Sequence, residues 1–131
     1  MAKNKQVLVS DLAPQAIGPY SAGIRAGDYV YTSGQLGVDR GTGKLVEGGV
    51  EAQARQALTN LGYVLQAAGL GLEHVVKTTV FLADIADYAA VNAVYATFFS
   101  EAFPARSAVQ VAALPAGARV EIEAIAFGPA G

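Results

Sequence analysis

Ala54, Ala57, Leu58, Leu61, Leu65 and Ala68 fall mostly three or four residues apart, and this stripe constrains the fold more than any other feature of the chain. A period near 3.6 puts all six on one face of a helix over about residues 51–68. Gly69 supplies the stop, since glycine readily adopts the left-handed conformation that ends helices. The stripe is narrow and half alanine, so the helix must lie close against the surface it covers. The next segment identifies that surface: VVKTTVFLAD alternates and is dense in β-branched residues, which predicts a strand over 75–83.

The same reading extends in both directions. KQVLV, residues 5–9, is a short edge strand. DLAPQAIGPY is irregular, punctuated by Pro14, Gly18 and Pro19. SAGIRAG and DYVYTSGQL form two strands joined tightly at Gly27-Asp28. GVDRGTGKLVEGG is a turn-rich loop. Asp87 is placed to cap a second helix whose buried face is Val91, Val94, Tyr95 and Phe98. Two strands, 107–113 and 119–127, close the chain around the turn LPAGA. The order ββ-α-β-α-ββ, with a leading strand, is an α+β sandwich with the helices on one sheet face. A single domain over 1–131 fits this length.

Composition bounds the function. Hydrophobic residues make up 53% and charged residues only 15%, which excludes disorder and is poor in charge for a small monomer. Self-association would cover the second sheet face. The net charge of −2 and scattered Lys and Arg offer no footprint for nucleic acid. Without cysteine there is no disulfide, thiolate nucleophile or cysteine metal site, and the single His74 cannot make a histidine cluster. No cofactor or metal is expected. The polar start MAKNKQVLVSDLAPQA does not read as a leader, and no window is long and apolar enough to span a bilayer, so a cytoplasmic protein is expected.

Some motifs dissolve on inspection. GVDRGTGKL lacks the first glycine and the Ser/Thr of a phosphate-binding loop, having Val38 and Leu45 at those positions. Ser33, in TSGQ, is not on a nucleophile elbow. His74 reads as a polar boundary residue.

Other residues hold more. Arg106 follows Phe103-Pro104 at a strand entrance, where it either caps a solvated edge or presents a rigid fork to a carboxylate. Glu121 and Glu123 alternate with Val120, Ile122 and Ala124, so both carboxylates share a face with Ile125 and Phe127. That face is either a solvated edge or the wall of a cleft in which burial and mutual repulsion raise a carboxyl pKa. Tyr20 either walls a pocket or packs in the core or an interface. Ser33 and Gln35 straddle Gly34 as small polar groups at a strand end. Asn92, on the second helix, is read as reaching back to loop or strand backbone.

Taken together, IGPYSAG, YTSGQLGVD, EAQARQALTNLGYVLQAAG, VVKTTVFLADIADYAAVNAVY, FPARSAVQVAALP and VEIEAIA resemble the RidA family, also called YjgF, over roughly residues 14–127. The segment from PARS to EIEA is similar to the family's signature, in its archetypal RidA branch. The resemblance implies a chorismate-mutase-like (YjgF-like) α+β fold, with a mixed sheet and two helices on one face, assembled as a homotrimer with pockets at subunit interfaces. It implies a cofactor-independent enamine/imine deaminase, converting 2-enamino or 2-imino acids such as 2-aminoacrylate to 2-oxo acids and ammonia. Arg106 matches the family's carboxylate-binding arginine, Tyr20 and Ser33 its pocket tyrosine and serine, and Asn92 its helix asparagine. Glu121 matches the glutamate associated with the reacting water, and Glu123 takes a structural role. Many members carry cysteine where this chain has Ala108, whose backbone carbonyl would still meet the substrate nitrogen. The alternative is a trimeric module that holds small carboxylates or a protein partner without turnover.

Overall fold

Alternating β-branched and aromatic residues build most of a seven-stranded sheet, seen in a computed structural model that describes residues 5–130. Residues 1–4 and 131 of the expected domain, with the first residues of its polar start, lie outside the described residues. Strands β1 (Lys5–Leu8), β2 (Gly23–Ala26) and β3 (Tyr29–Thr32) pair antiparallel in succession, and Gly27, at φ 61°, makes the tight turn between the last two. Two short strands follow, β4 (Gln35–Leu36) and β5 (Val38–Asp39), and β5 pairs with β6 (Lys44–Leu45). The loop expected here thus contains a small hairpin, whose two-residue strands are too short to show periodicity.

Helix α1 (Gly49–Gln66) leads to β7 (Val75–Leu82), helix α2 (Tyr88–Phe98), β8 (Ala105–Gln110) and β9 (Val120–Phe127). The sheet order is β1-β2-β3-β9-β7-β8, with β4 also on β9. β7 and β8 run parallel, a pairing that requires a crossover, and α2 supplies it. Every other pair in this sheet is antiparallel, so the sheet is mixed.

The helices cover one face. Leu58, Leu61 and Leu65 of α1 are fully buried, as are Val80 and Leu82 of β7 and Val120 and Ile122 of β9. Truncating one such leucine to alanine costs about 2–5 kcal/mol. Asn60 is fully buried among them, and its amide nitrogen donates to the carbonyls of Leu36 (3.1 Å) and Val38 (3.0 Å) while Oδ1 accepts from Gln56. It ties α1 to β4 and β5. Gly37 permits that approach, since a Cβ there would lie 2.5 Å from the Cα of Gln53.

The other face carries Glu121, Glu123, Ile125 and Phe127 from β9, all at least partly exposed, as the alternation required. Tyr29 and Tyr31, paired with Phe127 and Ile125, extend it, and the Tyr29 and Phe127 rings meet edge-on at 5.0 Å.

Asp87 departs from its expected role. It precedes α2 with helical φ/ψ and no capping bond, and its two carboxylate oxygens instead accept from Arg119 Nη2 at 2.8 and 2.9 Å. Asp84 caps the preceding 3-10 turn, accepting from the N–H of Ala86. An ion pair to a residue 32 positions away outcompetes the local cap.

Candidate functional site

Two cavities hold most of the chemistry-bearing residues, one on each side of the sheet. Arg106 projects toward the helices: it pairs in register with Thr78, whose hydroxyl is 2.7 Å from the Tyr95 hydroxyl of α2. Its guanidinium carbon lies 4.8 Å from the Tyr95 ring centroid and 5.4 Å from that of Tyr88, and Nη2 donates to the Tyr88 hydroxyl at 3.0 Å. Among the described residues it makes no ion pair. A cavity of about 300 Å³ opens beside it, lined also by Asn92, Tyr95, Phe103 and Pro104. A cation held by ring faces and a neutral hydroxyl retains donors for an external anion.

Asn92 therefore lines the same cavity as Arg106, and among the described residues its side chain makes no hydrogen bond to backbone. The Asn92 amide first, then the Arg106 charge and hydrogen bond, lower the pKa of the Tyr88 hydroxyl. Burial raises that of Tyr95. Tyr88 was not singled out in the sequence. The signal was its spacing, for positions 88, 92 and 95 fall on one helical face.

Glu121 lies on the opposite face, in a cavity of about 760 Å³ with Tyr20, Gly34, Pro115, Ala116 and Ile17 among its walls. Tyr20 is half exposed and lines this cavity. A β-bulge positions the carboxylate. Tyr31 faces Ile125 and Gln35 faces Ile122, so β3–β4 advances four residues while β9 advances three. The Thr32 hydroxyl accepts the N–H of Ala124 within this irregularity. Gly34 lies against Glu121, and a Cβ there would come 2.7 Å from its Cδ. Burial, then the charge of Glu123, raise the Glu121 carboxyl pKa.

Ser33 and Ala108 line neither cavity. The Ser33 hydroxyl donates to the Ser21 carbonyl at 2.6 Å, and Gln35 is buried. Ala108 lies two residues beyond Arg106 on the same strand face, its side chain packed on the core. His74 is a boundary residue, its Nδ1 accepting the N–H of Gly71. One chain thus brings Arg106 and Asn92 together on one side, and Tyr20 and Glu121 on the other.

Residues 10–127 match the family described as Endoribonuclease L-PSP. The chain belongs to the RidA (YjgF) family. It is 56% identical over 126 residues to the 2-iminobutanoate/2-iminopropanoate deaminase of Capra hircus, covering 95% of this chain and 92% of that protein. Among solved structures, RidA from the Antarctic bacterium Psychrobacter sp. PAMC 21119 superposes with a TM-score of 0.90 at 48% identity, covering 93% and 98% of the two chains. E. coli TdcF with bound serine gives 0.89 at 44% identity, with the same coverage. Both bear out the family's mixed α+β fold with two helices. Among the described residues no helix is long and apolar enough to cross a membrane, and no group of three or more His, Asp or Glu could hold a metal ion.

Proposed function

We propose that the chain hydrolyses 2-imino acids and their 2-enamino tautomers, such as 2-aminoacrylate, to 2-oxo acids and ammonia, in pockets formed where copies of a homotrimer meet. The observation that carries this reading is the Arg106 guanidinium, held by Tyr88 and Tyr95 without an acid partner among the described residues, at the mouth of a cavity. The relatives that bear the deaminase name, at up to 56% identity, support it. Arg106 and Glu121 project from opposite faces of one sheet, so a site that uses both takes them from different protomers. The exposed Tyr29, Tyr31 and Phe127 support burial of that sheet face between copies.

In this reading Arg106 grips the substrate carboxylate through two parallel hydrogen bonds, and the Ala108 carbonyl accepts from the iminium nitrogen. Asn92 steadies the arginine side of the pocket, and Tyr20 closes it. Glu121 accepts a proton as water adds to the electrophilic carbon of C=N. Glu121 returns that proton to the nitrogen of the tetrahedral adduct, and the C–N bond breaks as the adduct's hydroxyl gives up its own proton, releasing ammonia and the 2-oxo acid. Ser33 acts as an acceptor for the water: its own proton is engaged by Ser21, which leaves only lone pairs on offer. The protonated imine is already electrophilic, so no step calls for a metal or cofactor.

The test generates 2-aminoacrylate in situ with a dehydratase and follows 2-oxo acid release with no added protein, the parent chain or Arg106→Ala, measuring assembly mass on the same samples. The expectation is acceleration by a trimeric parent and a loss of at least about 100-fold in the variant. A folded parent that binds 2-oxo acids but leaves the spontaneous rate unchanged would make the chain a carboxylate-binding module.

A further inference from the structure

Two tyrosines of one helix converge on a single cation. Tyr88, Asn92 and Tyr95 are spaced by four and three residues along α2; Arg106 reaches both tyrosines from β8, and Asn92 lines the cavity beside it. Tyr95 is fixed from behind by Thr78. Tyr88 is different, being 41% exposed, so nothing in the core requires its hydroxyl. Its bond from Arg106 Nη2, at 3.0 Å, is nonetheless well formed. The ion pair of Asp87 with Arg119, whose Nη2 donates to both carboxylate oxygens, lies at the helix start immediately before it.

An arginine side chain has several soft torsions, and its value to a planar anion depends on which edge of the fork faces the ligand. Ring faces restrain the plane of the guanidinium but allow it to spin within that plane. A hydrogen bond to one terminal nitrogen stops the spin. The geometry points to Tyr88 as a positioning residue for Arg106, its hydroxyl fixing the guanidinium so that the free edge is aimed into the cavity beside Asn92. This rests on the proposed role of Arg106 as the carboxylate anchor. It adds a residue that acts through the anchor, on the binding of every 2-oxo or 2-imino acid alike, whatever its side chain.

The discriminating variant is Tyr88→Phe, which keeps the ring and removes only the hydroxyl. Titration with 2-oxobutanoate, steady-state imine hydrolysis and thermal melting would be run on the parent, Tyr88→Phe and Arg106→Lys. The expected result for Tyr88→Phe is a rise in KM and in the 2-oxobutanoate Kd together, each about tenfold, the worth of one hydrogen bond to a charged group. Its kcat should stay within about twofold and its melting temperature within a few degrees. Unchanged KM and Kd in Tyr88→Phe, with binding lost in Arg106→Lys, would overturn the role of Tyr88 and leave the anchor standing. A fall in kcat at constant KM would likewise overturn it. Parent-like binding in both variants would overturn the anchor and Tyr88 with it.

Discussion

The guanidinium of Arg106 is surrounded by neutral, electron-rich groups, whereas the Glu121 carboxylate is crowded by carbon and by a second carboxylate. Around Arg106, two tyrosine rings and a hydroxyl support a fixed positive charge. Around Glu121, burial first and Glu123 second make ionisation harder. The contrast separates two tasks. One half is suited to gripping a ligand that stays charged throughout, and the other to gaining and losing a proton within a single turnover.

Breaking the second half should have the largest effect. Glu121→Gln keeps the shape and removes the proposed base, and kcat should fall about 1,000-fold while 2-oxobutanoate affinity stays near the parent's. Stopped assays paired with titration check this, and equal losses in both would make Glu121 a structural residue. Gly34→Ala tests position without touching any ionisable group. Its backbone has no need of the left-handed region, but the new Cβ overlaps the Glu121 carboxylate, which must move. Displacement on the order of an ångström lowers kcat about 100-fold, so a parent-like kcat would show that the carboxylate need not sit against residue 34.

The subtlest test is Glu123→Gln, which sharpens the contrast by removing one cause of the raised pKa and leaving the larger one. In the proposed mechanism ionised Glu121 is the active form, so activity should rise with pH through its raised pKa. The variant should move the acid limb of kcat/KM to lower pH. An unmoved limb would assign it to another group. Stability runs the other way. Between the ordinary carboxylate value and the raised one the folded protein holds more protons than the unfolded chain, so this contribution is present at low pH and fades as pH rises through the raised value.

Local pattern revealed most of the architecture. The alanine-rich stripe became α1, and the alternation of Glu121 and Glu123 with Val120 and Ile122 gave β9 two distinct faces. What escaped was set by distant partners. β4 owes its existence to pairing with β9, and Asp87 gave up its cap for Arg119. At the site, Arg106 and Glu121 were legible as charges in unusual company, but their placement on opposite faces depends on strand register, which no single segment encodes. Tyr88 looked like an ordinary helix start until Arg106 was seen to reach it from a strand 18 residues on.

The order of strands has a consequence for how the molecule comes into being. β9 is the last strand along the chain, yet it lies between β3 and β7. Until it arrives, those two strands have no partner on their inner edges, and the hydrophobic cluster lacks Val120, Ile122, Ala124 and Ala126. On a ribosome, the earlier segments would wait with two open sheet edges, the state most prone to pairing with a neighbouring chain. Closure joins segments more than ninety residues apart, such as Tyr29 and Phe127, so assembly of the sheet is a late and strongly nonlocal event.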